Sequence, residues 1–310
     1  MTKWGTVTTV KAPLDEIQTF AAWHLEKGAH RIYLYLDAPD DNTYQILKSH
    51  PKVRVTRTDA DYWSRKKRRP NKHQVRQCVN ASDCYQRSPE VDWLCHIDVD
   101  EFLIPAQSIE NALDKLSNTS LCSRVRPIEA LYHPAQSVTK TFKAFHLDRK
   151  ARQSAAQDCF PTYGEHLSGG FLSHVAGKLF FRTGVEDLQI KIHNIIVDGD
   201  QNPGQIELAD IELAHFHAGT WEHFIKSYRY RLTKGSYREE LSPQVARKNA
   251  LSHHDLFKML EQDGGEDTLR SFYDEVCTAN DQLCARLERH GLLRCYNMDL
   301  DTIRRKHFPD

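Results

Sequence analysis

Short apolar runs alternate with amphipathic stretches in the N-terminal part of the chain. The apolar runs have the length and composition of buried strands and cover residues 6–10, 31–36 and 53–56. Between them, apolar residues recur at helical spacing, which predicts one helix from about Asp15 to Gly28 and another over roughly 43–49. This strand–helix order is typical of a parallel sheet with helices on both faces. The pattern therefore predicts an α/β fold built on a doubly wound, mostly parallel sheet flanked by helices.

The pattern continues less regularly towards the C-terminus. The further predicted elements are a helix over residues 72–87, a strand over 93–103 (WLCHIDVDEFL), a helix from Pro105 to about Leu116, and strands over 121–131, 176–182, 189–194 and 213–217. Residues 150–170 have the composition of a loop, and from Trp221 onwards the pattern is helical and polar. We therefore expect an α/β domain over residues 1–218 and a helical extension over 219–310 packed on it.

Charge and composition limit the partners that the chain is expected to bind. With 40% hydrophobic and 27% charged residues, the 310-residue chain has an ordinary globular composition. Lys plus Arg and Asp plus Glu both number 42, which argues against nucleic acid as the partner. Residues 64–70, SRKKRRP, are nonetheless densely basic. Such a run is typical of a solvated loop and also fits a phosphate-rich ligand or an anionic membrane surface.

The cysteines and the apolar segments predict a cytoplasmic protein. The eight cysteines are scattered without CxxC pairs, which favours reduced thiols over a disulfide framework. The N-terminal segment MTKWGTVTTVKAP lacks the apolar part of a signal peptide, and no stretch approaches the ~20 apolar residues of a membrane-spanning helix. Peripheral contact with an anionic membrane at its inner face stays open.

Carboxylates crowd the end of the strand predicted over residues 93–103. Residues two apart in a strand share a face, so Asp98 and Asp100 are expected to point one way. Glu101 is expected to point the other way and to orient the turn. Two adjacent carboxylates repel unless a cation lies between them, and oxygen ligands suit Mg²⁺ or Mn²⁺. The alternative is that one aspartate caps the next helix and the other is merely exposed.

Two histidines late in the chain are further metal-ligand candidates. Alternation along the strand predicted over residues 213–217 places His215 and His217 on one face. A mixed carboxylate and imidazole shell suits Mn²⁺, so one of them is a candidate ligand, with His217 favoured over His215. The alternative is that both are hydrogen-bonded residues near the core.

Two segments together resemble a known enzyme family. They are residues 20–37, FAAWHLEKGAHRIYLYLD, and residues 93–103, WLCHIDVDEFL. Together they are similar to the family 2-like bacterial glycosyltransferases and to the related family 92 group, most strongly over residues 5–105. The resemblance implies a GT-A fold, a nucleotide-sugar donor and a divalent cation, Mn²⁺ or Mg²⁺.

The resemblance also implies roles for individual residues. Asp98 and Asp100 match the D-x-D motif that binds the ion bridging the donor's diphosphate, and His217, or His215 in its place, matches the histidine that completes the metal shell. The donor-binding candidates are Thr8, Val10, Lys11, Asp37, Lys72, Asp98 and Lys178. Asp37 matches the acidic position that reads the base or ribose, and Lys178 fits a place where a cation meets phosphate. Lys72 is expected to contact phosphate or to balance the charge of the carboxylates. The alternative is that it lies on a solvated helix face.

The expected reaction transfers a sugar from a nucleotide-diphosphate donor, a UDP-sugar by the resemblance, to a saccharide or lipid-linked saccharide. The resemblance further suggests inversion and a role in surface polysaccharide or glycolipid biosynthesis. The metal would neutralise the leaving diphosphate, and inversion needs a base for the acceptor hydroxyl. The base candidates are Glu129 and Glu165, the latter in a Gly-rich segment expected to form a flexible loop over the donor. No clear Glu-Asp pair of the family 2 type is present, so the base stays open.

Two other function classes are compatible with parts of the pattern. A metal-dependent nucleotidyltransferase would share the sheet and the acidic site but would carry a Gly-rich, basic segment after the first strand. Residues 10–15, VKAPLD, contain no glycine, which counts against it. A non-catalytic nucleotide- or carbohydrate-binding module would use the acidic cluster only for structure. Calorimetry with UDP-sugars, with and without Mn²⁺, separates these classes.

Overall fold

The computed structural model of the protein describes residues 1–38, 40–133, 135, 137–233 and 250–309. The chain forms two compact units. The first consists of Met1–Pro127, Ala176–Leu213 and Asp299–Asp310, and the second of Ile128–Val175 and Ala214–Met298. These units divide the chain at positions other than the boundary predicted near residue 218, which stays a prediction. Residues 234–249 of the predicted helical extension lie outside the described residues.

The secondary structure confirms the alternation of strands and helices. In chain order, the strands are β1 (Trp4–Val10), β2 (Arg31–Leu36), β3 (Val53–Arg57), β4 (Trp93–His96), β5 (Glu101–Pro105), β6 (Cys122–Leu131), β7 (Thr139–Lys143), β8 (Lys178–Arg182), β9 (Gln189–Ile190), β10 (Ile195–Val197), β11 (Asp200–Gln201), β12 (Ile206–His215) and β13 (Leu293–Asn297). The helices are α1 (Leu14–Glu26), α2 (Asp41–Ser49), α3 (Ala60–Arg65), α4 (His73–Gln86), α5 (Ile109–Asp114), α6 (Arg149–Cys159), α7 (Trp221–Thr233), α8 (His253–Gly264), α9 (Glu266–Val276), α10 (Asp281–Arg289) and α11 (Leu300–His307). Within the described ranges, none of these helices is long and apolar enough to cross a membrane.

A parallel sheet with helices on both faces forms the first unit. Its parallel strands run in the order β3, β2, β1, β4, and β8 joins antiparallel to β4 and to the first part of β6. Trp4 and Val10 of β1 face the cluster with α1, α2, α5 and α11, whereas Val7 faces the cluster with α3 and α4. This alternation buries β1 on both sides. The predicted doubly wound, mostly parallel fold is confirmed.

Helix α1 includes Trp23 and His24, which lie in the first of the two segments that carry the family resemblance and contact the strand after the acidic segment. Phe20 lies on its buried face, and Gly28, with a φ of 94°, follows its end. The indole N–H of Trp23 donates to the carbonyl of Leu103 (2.8 Å), and Nε2 of His24 accepts from the N–H of Leu103 (3.3 Å). Burial lowers the pKa of His24 to about 4, so the ring is neutral and can accept at pH 7. Both side chains therefore hold β5 in place.

The predicted strand over WLCHIDVDEFL is wrong in its middle. Strand β4 ends at His96, β5 begins at Glu101, and the N–H of Glu101 donates to the carbonyl of Asp98 (3.1 Å) in a turn. The period-two argument for the two aspartates therefore does not hold, because the segment that carries them is not extended. The predicted helix from Pro105 is also misplaced, since Pro105 ends β5 and α5 begins after Ser108.

The second unit combines a small antiparallel sheet with helices. Strand β7 pairs with the last part of β6 and with β13. Its helices share an aromatic core of Phe224, Tyr228, Phe257, Phe272 and Tyr273. Helix α6 lies where a loop was predicted, and its first turn is capped by Asp148, which accepts from the N–H of Ala151 (2.8 Å). Strand β13 lies in the extension predicted as helical, and these two predictions are wrong.

Candidate active site

The carboxyl ends of three parallel strands meet at one edge of the first unit's sheet. Val10 and Leu36 pair at the ends of β1 and β2, and the N–H of Asp37 donates to the carbonyl of Val10 (2.8 Å). The hydroxyl of Thr8 donates to the carbonyl of Ile97 (3.0 Å), which ties the end of β4 to β1. Ligands of open α/β sheets bind outside the carboxyl ends of the strands. The residues that follow these three strands therefore form the candidate site.

Asp98 is held at this edge through its carboxylate by Lys178 and Gln77 and through its backbone N–H by Glu101. Nζ of Lys178 lies 2.7 Å from Oδ2 of Asp98 and 3.2 Å from Oε2 of Glu101. The amide nitrogen of Gln77 donates to Oδ1 of Asp98, and Oε2 of Glu101 accepts from the N–H of Asp98 (2.8 Å). The side chains of Lys178 and Glu101 have no exposed surface, whereas that of Asp98 is 30% exposed. The cluster thus presents a fixed, solvent-accessible carboxylate. Glu101 orients the turn as expected, but the expectation that it points away from Asp98 is wrong, because both carboxylates bind Lys178.

Lys178 supplies the positive charge at the centre of this cluster. Burial alone would lower the pKa of the Lys178 ammonium, but Asp98 and Glu101 raise it above its usual range. Burial and the nearby Lys178 lower the pKa of His96 to about 3 and that of His193 to about 4. At pH 7 the ammonium is charged and both imidazoles are neutral. The contact of Lys178 with phosphate stays a prediction, and the observed contact is with the two carboxylates.

Negative charge accumulates near Asp100, which lies half-buried in the turn between β4 and β5. Partial burial, together with Asp15 and Asp100, raises the pKa of Glu16 on α1. Crowding of this kind favours a cation at the same place. Among the residues that the structure describes, no three His, Cys, Asp or Glu side chains are grouped to hold a metal ion. The donor set nevertheless fits the usual Mg²⁺ arrangement of one or two carboxylates completed by substrate phosphate and water.

Asp37 is clamped by basic side chains and is almost inaccessible, at 2% exposure. Nη2 of Arg76 lies 2.8 Å from Oδ2 of Asp37, and Nη2 of Arg69 lies 3.0 Å from Oδ1. Burial alone would raise the pKa of Asp37, but hydrogen bonds from His73, Arg76 and Arg69 hold it well below its usual range. Since Arg69 is half exposed, a ligand at this edge meets its guanidinium before the carboxylate. The role of Asp37 in reading base or ribose stays a prediction.

The other donor-binding candidates differ in accessibility. Thr8 and Val10 are buried and build the edge of the sheet, whereas Lys11 is exposed directly after β1 and Lys72 is exposed at the start of α4. Their contacts with a donor stay predictions. The sequence did not single out Arg69 or Gln77. The basic run at residues 64–70 was the available signal for Arg69, and nothing in the sequence marked Gln77.

Glu129, the first base candidate, is sealed inside the second unit, where its side chain is 1% exposed. Nζ of Lys143 lies 3.2 Å from Oε1, and the N–H groups of Leu172 (3.0 Å) and Ser173 (2.8 Å) donate to the carboxylate. Burial alone would raise the pKa of Glu129, but Lys143 and these hydrogen bonds hold it below its usual range. Nζ of Lys143 also donates to the carbonyl of Val276 (2.7 Å). This geometry favours a structural role over proton transfer.

Glu165, the second base candidate, lies on the surface of the second unit and is 49% exposed. Nε2 of His166 lies 3.7 Å from its carboxylate. The neighbouring glycine serves packing rather than flexibility, because a Cβ on Gly164 would lie 2.0 Å from the carbonyl oxygen of Ala156. The loop expected to be flexible is therefore tightly packed at this position. The catalytic role of Glu165 stays a prediction.

Three histidine rings lie together in the second unit. The ring centroids of His215 and His217 are 5.0 Å apart, and that of His174 is 6.5 Å from His215. Burial, followed by the charge of Arg231 and by the neighbouring histidines, lowers the pKa of His217 well below its usual range. Its imidazole is therefore neutral at pH 7, which is the form that binds metal. The metal-ligand role of His217, or of His215 in its place, stays a prediction.

A family model and several solved structures are similar to this chain. The family model described as Glycosyltransferase family 92 matches residues 8–248. No curated protein matches the chain. Among solved structures, HddC from Yersinia pseudotuberculosis is similar at 11% identity and a TM-score of 0.29, over 48% of this chain and 66% of that one. A 4-diphosphocytidyl-2C-methyl-D-erythritol synthase is similar at 10% identity and a TM-score of 0.28, over 47% and 64%. The chain covers less than two thirds of either structure.

Proposed function

The chain belongs to glycosyltransferase family 92 and is a glycosyltransferase, and from this premise we propose its donor, acceptor and site. The donor is a nucleotide-diphosphate sugar, a UDP-sugar, bound outside the carboxyl ends of β1, β2 and β4. The acceptor is a saccharide or lipid-linked saccharide of surface polysaccharide or glycolipid biosynthesis, and the anomeric centre inverts. The observation that carries this proposal is the fixed, solvent-accessible carboxylate of Asp98, held by buried Lys178 at the edge where α/β sheets bind ligands.

Sugar transfer requires stabilisation of the charge on the departing nucleotide diphosphate. Asp100 would hold a divalent cation, Mn²⁺ or Mg²⁺, with Asp98 beside it. When bound, this ion acts as a Lewis acid on the diphosphate. Lys178 and Gln77 bind both oxygens of Asp98 before the donor arrives, so the carboxylate needs no reorganisation during the reaction. Asp98 is then oriented towards the donor rather than free to rotate.

The cations at the same edge assist donor binding. Arg69 is half exposed and held from behind by buried Asp37, so its guanidinium is oriented in advance for an anionic group. In this proposal Asp37 acts through Arg69 rather than by touching the nucleotide. Exposed Lys11 and Lys72 add charge after β1 and at the start of α4. Together they favour a diphosphate over a neutral ligand.

Inversion requires a base that removes the proton from the acceptor hydroxyl. Glu165 suits this role better than Glu129, because its carboxylate reaches solvent whereas that of Glu129 is sealed and ion-paired. A positioned general base contributes about 10²- to 10⁴-fold to the rate. Glu165→Gln should therefore lower kcat in this range without a matching change in the donor KM.

The experiment is a screen of nucleotide sugars for transfer and slow hydrolysis, with Mn²⁺, with Mg²⁺ and after chelation. We expect one donor class to turn over, with activity lost on chelation and restored by the metal. Asp100→Asn should remove the activity, whereas the matched variant Asp301→Asn, exposed on α11, should retain it. If no nucleotide sugar turns over, or if Asp100→Asn is as active as Asp301→Asn, the proposal is wrong.

A further inference from the structure

The basic run of residues 64–70 contains two side chains that anchor it to the first unit. Nζ of Lys66 lies 2.5 Å from Oδ1 of Asp83, and Nη2 of Arg69 lies 3.0 Å from Oδ1 of Asp37. The side chains of the two aspartates are only 6% and 2% exposed, so both cations bind inwards. The segment is therefore attached at two points, three residues apart, rather than being a loose solvated loop.

The other three cations of the run point to solvent rather than into the first unit. Arg65, Lys67 and Arg68 are all exposed, and none of them forms an ion pair with a carboxylate within the described part of the chain. Because their neighbours in the sequence bind inwards, these three charges are presented to solvent from a fixed segment. They form what we call the outer basic surface, defined by these three residues.

Lys67 has a backbone conformation that does not suit a lysine. Its φ is 71°, in the left-handed region, immediately after the last turn of α3. Glycine is the usual residue at such a position, because a Cβ is unfavourable there. The chain thus has a cation where the backbone alone would favour glycine.

The location of the outer basic surface relates it to the candidate active site. Arg69 contacts both the backbone carbonyl and the carboxylate of Asp37, which directly follows β2. The segment carrying the outer basic surface is therefore fastened to the same sheet edge that we assign to the donor. A ligand bound by these cations would therefore lie on the side of the first unit where we propose that the donor binds.

We propose that Arg65, Lys67 and Arg68 dock the enzyme on the phosphate groups of an anionic lipid surface. Three exposed cations on one segment fit a plane that carries many phosphates, whereas a single free phosphate is usually enclosed by several donors. Docking would turn the donor edge towards the lipid surface. The inference rests on the proposed function in one respect, namely that a lipid-linked acceptor would be met there.

The binding strength expected from these charges is measurable. Each Lys or Arg near an anionic surface strengthens binding about fivefold, so three of them contribute about a hundredfold. Salt screens such contacts, and binding should weaken strongly between 0.02 M and 0.2 M NaCl, since the Debye length falls below about 10 Å above 0.1 M. Neutral vesicles should not bind the protein.

The test is sedimentation of the full chain with vesicles of phosphatidylcholine alone or mixed with phosphatidylglycerol. The triple variant Arg65→Gln/Lys67→Gln/Arg68→Gln should bind the anionic vesicles about a hundredfold more weakly than the wild type. The matched triple variant Arg149→Gln/Lys150→Gln/Lys258→Gln removes three exposed charges from the second unit and should bind like the wild type. Equal losses in the two triple variants, or no loss in the first, would overturn the docking surface.

A single substitution at Lys67 separates the effect of its charge on vesicle binding from an effect on stability. Lys67→Gly should weaken vesicle binding about fivefold while the melting temperature stays equal or rises, because glycine suits the left-handed backbone. Lys67→Arg should retain binding. If Lys67→Gly binds vesicles as the wild type does, Lys67 has no part in docking.

Two further measurements separate lipid phosphate from free phosphate, and docking from catalysis. If inorganic phosphate at millimolar concentration binds through the same three residues and no vesicle binding occurs, the lipid proposal is wrong. Donor hydrolysis without vesicles should be the same in the first triple variant and the wild type. A loss of hydrolysis in that variant would place these cations in the donor site and overturn the docking role, whereas a wild type without hydrolysis would refute the proposed function alone.

Discussion

Each compact unit buries a lysine against carboxylates, and the two clusters differ in access to solvent. In the first unit, Lys178 is fully buried but its partner Asp98 is 30% exposed. In the second unit, Lys143 and Glu129 are both 1% exposed, with the rings of Phe160 and Phe171 near the ammonium. A ligand can reach the carboxylate of Asp98, whereas the carboxylate of Glu129 is inaccessible to ligands.

Pairing with a buried lysine does not by itself identify a site residue. A buried ion pair is weak evidence for net stability, because desolvation offsets the attraction, but removing one partner leaves a costly buried charge. A single substitution in either cluster should therefore lower the free energy of unfolding. Of the two clusters, only that of Lys178 has a carboxylate that faces solvent. Substitutions there should lower the rate of the reaction, whereas substitutions in the cluster of Lys143 should not.

The largest expected effect is on stability when either lysine is removed alone. Lys143→Met leaves Glu129 buried and unpaired, and should lower the free energy of unfolding by about 3–5 kcal/mol. Lys178→Met should lie near the lower end of that range, because Asp98 can be hydrated although Glu101 stays buried. Urea unfolding followed by circular dichroism measures both, with exposed Lys150→Met as the control. A loss below about 1 kcal/mol for Lys143→Met at pH 7 would show that Glu129 finds another partner.

The second prediction separates structure from catalysis by neutralising each cluster in pairs. The double variants Lys143→Met/Glu129→Gln and Lys178→Met/Glu101→Gln each remove one charge of either sign, so both should recover most of the lost stability. Donor turnover should be normal in the first double variant. It should fall about a hundredfold in the second, because Asp98 loses the ammonium that orients it and a misplacement of about 1 Å costs that much.

The measurement for this prediction is kcat and KM for the donor at matched folded fractions. A lower kcat with little change in KM is expected for the second double variant, because the fully buried Lys178 orients Asp98. Equal turnover in the two double variants would mean that Lys178 is as purely structural as Lys143. The difference in solvent access between the two clusters would then have no effect on the reaction.

The third prediction concerns how the stability contributed by the buried pair of Lys143 and Glu129 depends on pH. In the wild type the pKa of Glu129 is lowered, so its stabilisation is present above the unfolded pKa of about 4.3 and is lost as the pH falls through the lower folded value. In Lys143→Met, burial without the ammonium should raise that pKa. The contribution of Glu129 to the stability of this variant is then fully present below about pH 4.3. It is lost as the pH rises through the pKa of Glu129 in the folded state.

The stability gap between wild type and Lys143→Met should therefore narrow on acidification from pH 7, by at most about 1.4 kcal/mol per pH unit. Urea unfolding at pH 5, 6 and 7 measures this gap. The double variant with Glu129→Gln has no carboxylate at this position and should show no such narrowing. A gap that is constant with pH would indicate that Glu129 stays ionised without Lys143.

Local apolar periodicity was sufficient to predict the parallel strands, α1, α2 and α4, because burial on both faces of β1 and β2 leaves a pattern within a few residues. The break after His96 was not predictable in this way. Apolar residues lie on both sides of it, and the turn is set by the contact of Glu101 with the N–H of Asp98. Helix α6 was missed because its face is mostly polar with only a few small buried residues.

The candidate site was predictable only in its carboxylates. The acidic residues after β2 and β4 stand out in the sequence, but their partners come from distant parts of the chain. Lys178 is 80 residues from Asp98, and Arg69 and Arg76 are more than 30 residues from Asp37. No local pattern connects such pairs. For the same reason Glu129 was a base candidate, since nothing near it in the sequence reveals that Lys143 seals it.

The smallest expected effect concerns Asp37, a third buried carboxylate, which is held by arginines instead of a lysine. Asp37→Asn should raise the donor KM about three- to tenfold with kcat nearly unchanged, because Arg69 loses the charge that orients it but remains at the edge. Asp83→Asn is the matched control, since Asp83 anchors Lys66 in the same way but does not hold Arg69. Its donor KM should stay at the wild-type value. A fall in kcat with unchanged KM for Asp37→Asn would place this carboxylate among the reacting groups, and the distinction between accessible and sealed carboxylates would then fail at this edge.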